Sequence, residues 1–133
     1  MANPHLAGRV IVVVDDDDDL RKLFELVLGL AGAIVFTTGD SAHAEELVSF
    51  MQPDLVLLDV DMPSVDGWEV ARRLAANPLT ASIPFIFVTG TTEMGRARAA
   101  DIGAVGFVAK PFDPLELEEA VDTALTGGVL TTI

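Results

Sequence analysis

Short and almost wholly apolar runs recur along this chain, and they constrain its fold more than any other feature. Val10–Val14, Leu55–Leu58 and Phe85–Val88 are the clearest of these runs. Unbroken apolar runs of this length are typical of strands that are buried on both faces, as in a parallel sheet covered by helices. None of them approaches the ~18 apolar residues that suggest a membrane span, so we predict no membrane interaction.

Between these runs, apolar residues recur at the spacing of amphipathic helices. Leu20, Phe24 and Val27 fall on one helical face, and Gly32 supplies a stop signal. Near the end of the chain, Asp113-Pro114-Leu115-Glu116 combines an N-cap aspartate, a proline at the first helical position and a glutamate placed for a capping box. The predicted strands are 10–14, 34–37, 55–58, 85–88 and 105–109, and a helix follows each, including a weak, alanine-rich one at 93–102.

This alternation predicts an α/β domain, in which a doubly wound, five-stranded parallel sheet has helices on both faces. A chain of 133 residues has the length of one domain. We therefore predict a single domain over residues 1–133, with a core at about 9–126 and a short tail at 127–133.

Composition argues against several functional classes. The chain has 8 basic and 21 acidic residues, and its basic side chains are scattered, so we expect no direct nucleic-acid binding. The absence of cysteine removes disulfide and thiolate chemistry. Met1–Arg9 lacks the apolar segment of a secretory signal, which favours a cytoplasmic location. We expect His5 in a mobile N-terminus and His43 on a solvated helix face, both without a catalytic role.

Polar residues stand where the predicted strands end. Asp15 and Asp16 follow the first strand, Asp59 the third, Thr89 the fourth and Lys110 the fifth. In an open α/β sheet the ligand crevice lies at the carboxyl edge of the strands. These residues should therefore meet in one pocket.

Close carboxylates repel one another unless a cation neutralises them. Oxygen ligands without histidine or cysteine suit a hard ion, and few protein ligands favour Mg²⁺, with Mn²⁺ as an alternative. A calcium loop is a poor fit to Asp15–Asp19, because Leu20 stands where glycine is needed. Lys110 could hold a phosphoryl group beside the metal, and an aspartate could then be phosphorylated as the nucleophile.

Four segments carry a family resemblance. They are Val12-Val13-Val14-Asp15-Asp16, Asp54-Leu55-Val56-Leu57-Leu58-Asp59-Val60-Asp61-Met62-Pro63 with Asp66-Gly67, Phe87-Val88-Thr89-Gly90, and Phe107-Val108-Ala109-Lys110-Pro111-Phe112. From about Arg9 to Leu125 the chain resembles a response-regulator receiver domain of two-component signalling, similar to the chemotaxis regulators. The resemblance implies a flavodoxin-like fold with strand order 2-1-3-4-5.

The resemblance also implies a role for each site residue. Asp59 would be the phosphoacceptor, Asp15 and Asp16 would bind Mg²⁺ beside it, and the backbone carbonyl of Asp61 would be a further metal ligand. Lys110 would pair with a phosphoryl oxygen.

A cis peptide bond between Lys110 and Pro111 is implied as well. Thr89 would be the switch hydroxyl and Phe107 the switch aromatic.

The resemblance implies the partners too. A sensor histidine kinase or a histidine phosphotransfer protein would donate the phosphoryl group. The face formed by the fourth helix, fifth strand and fifth helix would then control a downstream protein that the sequence does not name. We expect a monomer or weak dimer that catalyses only its own phosphorylation and dephosphorylation.

Two features depart from the family pattern. Asp17–Asp19 extend the acidic pair and are interpreted mainly as a helix cap, while phenylalanine replaces a frequent tyrosine at residue 107. We interpret Trp68 as a packing residue.

Three competing functions remain open at this point. Asp59-Val60-Asp61 also resembles the start of the haloacid-dehalogenase phosphatase signature, although Pro63 and a third-strand position fit that class poorly. The chain could instead be a binding module that keeps the fold and no longer uses phosphate. It could also be a piece of a larger regulator with a separate output domain.

Overall fold

Five parallel strands and five α-helices alternate along the part of the chain that the structure describes. The computed structural model describes residues 2–90 and 93–127, so the predicted tail beyond Gly127 lies outside the described residues. The strands are β1 Val10–Val14, β2 Ile34–Thr38, β3 Leu55–Leu58, β4 Phe85–Thr89 and β5 Gly106–Ala109. The helices are α1 Asp18–Leu30, α2 Ala44–Met51, α3 Gly67–Ala76, α4 Glu93–Ile102 and α5 Pro114–Leu125, with a 3₁₀ turn at Ser41–His43.

The strands form one sheet in the order β2-β1-β3-β4-β5, which confirms the predicted flavodoxin-like topology. Val14 is in register with Thr38 on one side and Leu58 on the other, and Thr89 pairs with Ala109. Because all pairs are parallel, the carboxyl ends of the strands lie at one edge of the sheet. The strand-end side chains are therefore presented together.

Alternate residues of each strand enter two separate apolar clusters, because successive side chains point to opposite faces. Ile11 and Val13 pack in a cluster with α1 and α5, which contribute Phe24 and Leu117. The opposite cluster lies under α2, α3 and α4. It includes Val12, Val14, Val48, Phe87, Trp68, Leu74, Ala99 and Phe107. This arrangement confirms that helices cover both faces of the sheet.

Helix starts and stops follow local sequence signals. Asp17 caps α1 by accepting hydrogen bonds from two backbone N–H groups, as the helix-cap interpretation of Asp17–Asp19 predicts. The capping box between Asp113 and Glu116 at α5 is confirmed. Asp40 caps the 3₁₀ turn by accepting a hydrogen bond from the Ala42 N–H, and α2 begins after this turn, at Ala44.

The prediction of a mobile N-terminus around His5 is wrong. Leu6 is completely buried against the cluster of α1 and α5, and the Asn3 backbone N–H donates to the carbonyl of Ala31 at 2.8 Å. His5 Nδ1 lies 2.8 Å from a carboxylate oxygen of Asp122 on α5. The packed core therefore begins before the predicted boundary at residue 9, because Leu6 packs into it. A single apolar residue in a short segment shows no period, so the sequence pattern did not indicate this contact.

His43 and Trp68 lie where the sequence places them. His43 is exposed at the end of the 3₁₀ turn, and Trp68 is buried with its ring centroid 4.7 Å from that of Phe87. Within the described ranges, no helix is both long enough and apolar enough to cross a membrane.

Candidate functional site

Asp59 stands directly after the central strand β3, at the carboxyl edge of the sheet. Its side chain is buried, and its backbone N–H donates to the carbonyl of Val14 at 2.9 Å. Gly67 at the start of α3 packs on the same backbone, since a Cβ built on Gly67 would lie 2.0 Å from the Asp59 carbonyl oxygen. Strand pairing and a close helix thus fix the position of Asp59.

Three carboxylates meet beside this residue. Single carboxylate oxygens of Asp15, Asp16 and Asp59 lie within 4.8 Å of one another. Asp15 and Asp59 are buried, whereas Asp16 is exposed. Oxygen donors at this spacing, with one side open to solvent, fit a hard divalent cation that keeps part of its water shell. The residues present therefore fit the metal ion that the sequence predicts.

The Lys110 amine lies between the two buried carboxylates. Its Nζ donates to Asp15 Oδ2 at 2.8 Å and lies 3.4 Å from Asp59 Oδ2. The side chain follows β5 directly and is largely shielded from solvent. The peptide bond between Lys110 and Pro111 is cis, as the resemblance implies. A charged amine is thus held within reach of any anion bound to Asp59.

Burial and charge shift two ionisable groups of the site. Burial raises the pKa of Asp59; the Asp15 carboxylate adds to the increase, while the Lys110 charge and the Thr89 hydrogen bond oppose it. Burial disfavours the charge of Lys110, but the hydrogen bonds and charges of Asp15 and Asp59 outweigh it and raise the pKa of Lys110. A charged lysine therefore faces an aspartate whose ionised form is costly to keep, which is typical of functional sites.

Thr89 and Phe107 lie on the two strands beyond Asp59. Thr89 ends β4, is completely buried and donates its hydroxyl to the Asp59 carboxylate. Phe107 lies on β5 in register with Phe87 and is buried in the cluster under α4. The Arg96 guanidinium of α4 lies 4.8 Å from the centroid of the Phe107 ring. Thr89 at the acidic site and Phe107 beneath α4 thus lie on two paired strands.

The structure brings together the five strand-end residues. Asp61 lies in the loop between β3 and α3 with an exposed side chain. Ser41 supports this loop by donating its hydroxyl to the Pro63 carbonyl at 3.0 Å and accepting from the Val65 N–H.

Sequence reasoning missed three residues that support the site, Ser41, Arg21 and Gly39. Arg21 donates to the backbone carbonyl of Asp15, and Gly39 lies against its guanidinium. No periodic or motif signal identifies these contacts, because each depends on how separate segments pack together and not on a local repeat.

The family model for the response regulator receiver domain matches residues 11–122, which include all the site residues. The chain belongs to the response regulator receiver domain family. PhoB, the phosphate regulon transcriptional regulatory protein of Pseudomonas aeruginosa, is 34% identical over 113 residues, or 84% of this chain and 49% of PhoB. This receiver domain spans about half the length of the first curated relatives that it matches.

Solved receiver structures share the fold. A response regulator from Chloroflexus aurantiacus has a TM-score of 0.84 and 31% identity, covering 90% of this receiver domain and 98% of that chain. Chemotaxis protein CheY4 of Vibrio cholerae has a TM-score of 0.82 and 25% identity, covering 89% of this chain and 99% of its own. The strand order that the resemblance implies is thus found in this domain, which shares its fold with experimentally determined relatives.

Proposed function

We propose that this receiver domain is a phosphoacceptor switch in a histidine-to-aspartate phosphorelay, and that Asp59 is the acceptor. The observation that carries the proposal is the setting of Asp59, a buried carboxylate that has two acidic neighbours and contacts with Lys110 and Thr89. Carboxylates, an amine and a hydroxyl around one nucleophile suit phosphoryl transfer, in which positioning and charge stabilisation supply most of the catalysis.

In the proposed reaction, a carboxylate oxygen of Asp59 attacks the phosphorus of a phosphohistidine. The new P–O bond forms as the P–N bond breaks, and the electron pair of the broken bond returns to the imidazole nitrogen. Attack of water on the phosphorus later releases inorganic phosphate and restores the carboxylate. The domain thus acts on itself and turns over no separate substrate.

Lys110 and Thr89 would bind the transferred group. The Lys110 amine is 3.4 Å from Asp59 Oδ2, so a phosphoryl oxygen attached to Asp59 would lie within its reach. The Thr89 hydroxyl donates to the same carboxylate and could donate to a phosphoryl oxygen instead. Both donors would favour negative charge as it develops on the phosphoryl group.

Asp15, Asp16 and Asp59, with the backbone carbonyl of Asp61, would hold Mg²⁺, or Mn²⁺ in its place. The bound ion would offset the negative charge between the carboxylates and the phosphoryl group. Without a bound ion, the Lys110 amine is the positive charge that pairs with both buried carboxylates, Asp15 and Asp59.

Phosphorylation would act on the face formed by α4, β5 and α5. A rearranged Thr89 hydroxyl would change the packing at Phe107, which lies on the neighbouring strand under α4. A cavity of about 130 Å³ between α4 and β5, lined in part by Phe107 and Ala99, leaves room for a second arrangement. Switches of this kind need an element with two packing states.

The proposed partners are a sensor histidine kinase or a histidine phosphotransfer protein upstream, and a protein that reads the α4–β5–α5 face downstream. We further propose that the domain works in the cytoplasm as a monomer or weak dimer, without touching nucleic acid itself.

Incubation with a small phosphodonor and Mg²⁺, followed by intact-mass analysis, tests the proposal. We expect the wild type to gain one phosphoryl group and Asp59→Asn to gain none. Asp101→Asn removes an exposed carboxylate on α4 and is the matched control, which should be labelled like the wild type. Undiminished labelling of Asp59→Asn, or labelling that a chelator does not reduce, would overturn the assignment.

A further inference from the structure

Arg21 on α1 reaches back to the loop that carries the acidic pair. Its Nη1 donates to the backbone carbonyl of Asp15 at 2.8 Å, and its Nη2 pairs with the carboxylate of Asp18. Only 21% of the side chain is exposed, although α1 lies at the surface. An arginine so placed is held by specific contacts and is not a freely solvated surface charge.

Arg21 completes the set of hydrogen bonds that immobilise Asp15. The Asp15 backbone N–H donates to the carbonyl of Thr38 at 3.1 Å, Oδ1 accepts from the Asp17 N–H, and Oδ2 accepts from Lys110. Arg21 donates a hydrogen bond to the remaining polar group of Asp15, its main-chain carbonyl. Because that carbonyl belongs to the peptide joining Asp15 to Asp16, the contact also restrains the backbone of Asp16.

Gly39 provides the space that the Arg21 guanidinium occupies. A Cβ built on Gly39 would lie 2.4 Å from Nη1 and 3.0 Å from Cζ of Arg21. The backbone of Gly39 lies outside the left-handed region, so alanine there would meet no conformational strain. The methyl group of alanine at residue 39 would therefore clash with the guanidinium of Arg21, which can move away. The backbone conformation at residue 39 would not need to change.

We propose that Arg21 is a positioning residue for the metal-binding pair, and that Gly39 is glycine so that the guanidinium can reach the Asp15 carbonyl. The inference rests on the proposed function, since it assigns Arg21 a role at the same metal site. Groups that orient metal ligands without touching the ion commonly change its affinity when removed. Arg21 would act through the main chain of Asp15 and Asp16, leaving their carboxylate oxygens available.

Calorimetric titration with Mg²⁺ at constant ionic strength tests the inference, together with thermal unfolding in a chelator. Arg21→Gln should raise the Mg²⁺ Kd roughly tenfold, the lower end of the effect typical of such groups. Gly39→Ala should also raise the Mg²⁺ Kd, while leaving the metal-free melting temperature near that of the wild type. Lys22→Gln removes an exposed positive charge from the next residue and should leave the Kd unchanged.

Two further variants separate positioning from a general effect of charge or folding. Arg21→Lys keeps a cationic donor and should recover part of the affinity that Arg21→Gln loses. The double variant Arg21→Gln/Gly39→Ala should bind no more weakly than Arg21→Gln, because the two changes remove the same contact.

The outcomes distinguish failure of this inference from failure of the proposed function. A wild type that does not bind Mg²⁺ would overturn both. A wild type that binds, with Arg21→Gln and Gly39→Ala matching its Kd, would overturn the positioning role alone. A Kd that Lys22→Gln raises as much as Arg21→Gln does would also overturn it, because the effect would then not depend on the contact with the Asp15 carbonyl. Loss of a positive charge by itself should instead lower the Kd for a cation.

Discussion

In the proposed function, Asp59 must meet two opposing requirements, because a nucleophile must be ionised and a switch residue must be shielded from water. Burial and the neighbouring Asp15 raise its pKa, and Lys110 limits the increase. In a folded protein without metal, the ionised form of Asp59 is therefore a source of instability. This instability gives a signal that can be measured without phosphorylation.

Asp59→Asn should be more stable than the wild type in chelator at neutral pH. A raised folded-state pKa means that folding favours the protonated acid, so the wild type loses stability as pH rises from about 3.8, the ordinary value, through the folded-state pKa. The difference in free energy of unfolding between Asp59→Asn and the wild type should reach its maximum above the folded-state pKa, and should shrink as the pH falls toward 3.8. Urea unfolding of both proteins across this range measures it.

Added Mg²⁺ serves as the control for this prediction. At roughly ten times its Kd the ion should stabilise the wild type by about 1.4 kcal/mol, since it binds only the folded site. The prediction is wrong if Asp59→Asn is the less stable protein in chelator at neutral pH.

Gly67→Ala should destabilise the domain by about 1–3 kcal/mol, because the new Cβ would press on backbone atoms of Asp59 and Val60 that cannot rotate away. Gly29→Ala is the matched control, since a Cβ on Gly29 meets nothing within 4 Å and alanine favours the helix. Chemical unfolding of the two variants should give opposite signs. Equal stabilities would show that α3 can shift away from Asp59 without cost.

Among the elements, α4 is attached to the sheet in an unusual way. Burial is described for residues 95–102 of α4, and among these only Gly95 and Ala99 are buried. Two arginines lie over aromatic rings instead, Arg96 over Phe107 at 4.8 Å and Arg98 over Trp68 at 4.6 Å. Such contacts contribute about 0.5–1 kcal/mol each at exposed sites, so α4 is held less firmly than a helix with a wide apolar face.

Phosphorylation should therefore change backbone amide exchange mainly between Thr89 and Leu117, the stretch that contains α4 and β5. The weak attachment of α4 makes its opening free energy sensitive to a new contact at Thr89. Hydrogen exchange with mass detection, in Mg²⁺ with and without phosphodonor, measures the change. Asp59→Asn treated in the same way should show no change, and an unchanged pattern in the wild type would contradict the role of this face.

Sequence patterns predicted the elements well where they carried a regular period or a capping residue. The unbroken run Leu55–Leu58 and the capping box at Asp113 both led to correct elements. The pattern was less informative before α2, where a 3₁₀ turn stands between Asp40 and Ala44. Edge strands and short turns depend on tertiary contacts that a local period does not encode.

The site was predictable for a different reason. Parallel strands bring their carboxyl ends to one edge, so Asp59 and Lys110 had to lie near each other once the fold was known. The Arg21–Gly39 contact was not predictable, because it depends on a separation between α1 and the loop after β2 that leaves no room for one methyl group.

At the scale of the whole molecule, the N-terminal segment joins two helices on the same face of the sheet. The Asn3 backbone N–H bonds to the carbonyl of Ala31 after α1, while its side chain donates to Glu118 and Asp122 on α5. Leu6 fills the space beneath these contacts. We therefore expect the segment to unfold together with the rest of the domain.

Leu6→Ala should lower the free energy of unfolding by about 2–5 kcal/mol, the usual effect of truncating a completely buried leucine. Leu26→Ala is the matched control, because Leu26 on α1 is 59% exposed and its truncation should have little effect. Equilibrium unfolding in urea compares the two. Similar small losses for both variants would mean that the N-terminal segment detaches before the domain unfolds.

The two apolar clusters on opposite faces of the sheet have a consequence for how such a domain can evolve. Phe107 and the residues under α4 share one cluster, whereas Leu6, Phe24 and Leu117 belong to the other. We expect substitutions among the second group to change thermal stability with little effect on packing beneath α4, because the sheet lies between the two clusters. Under the proposed function, selection could therefore adapt the protein to a new temperature through one half of its interior and retune its response to phosphorylation through the other.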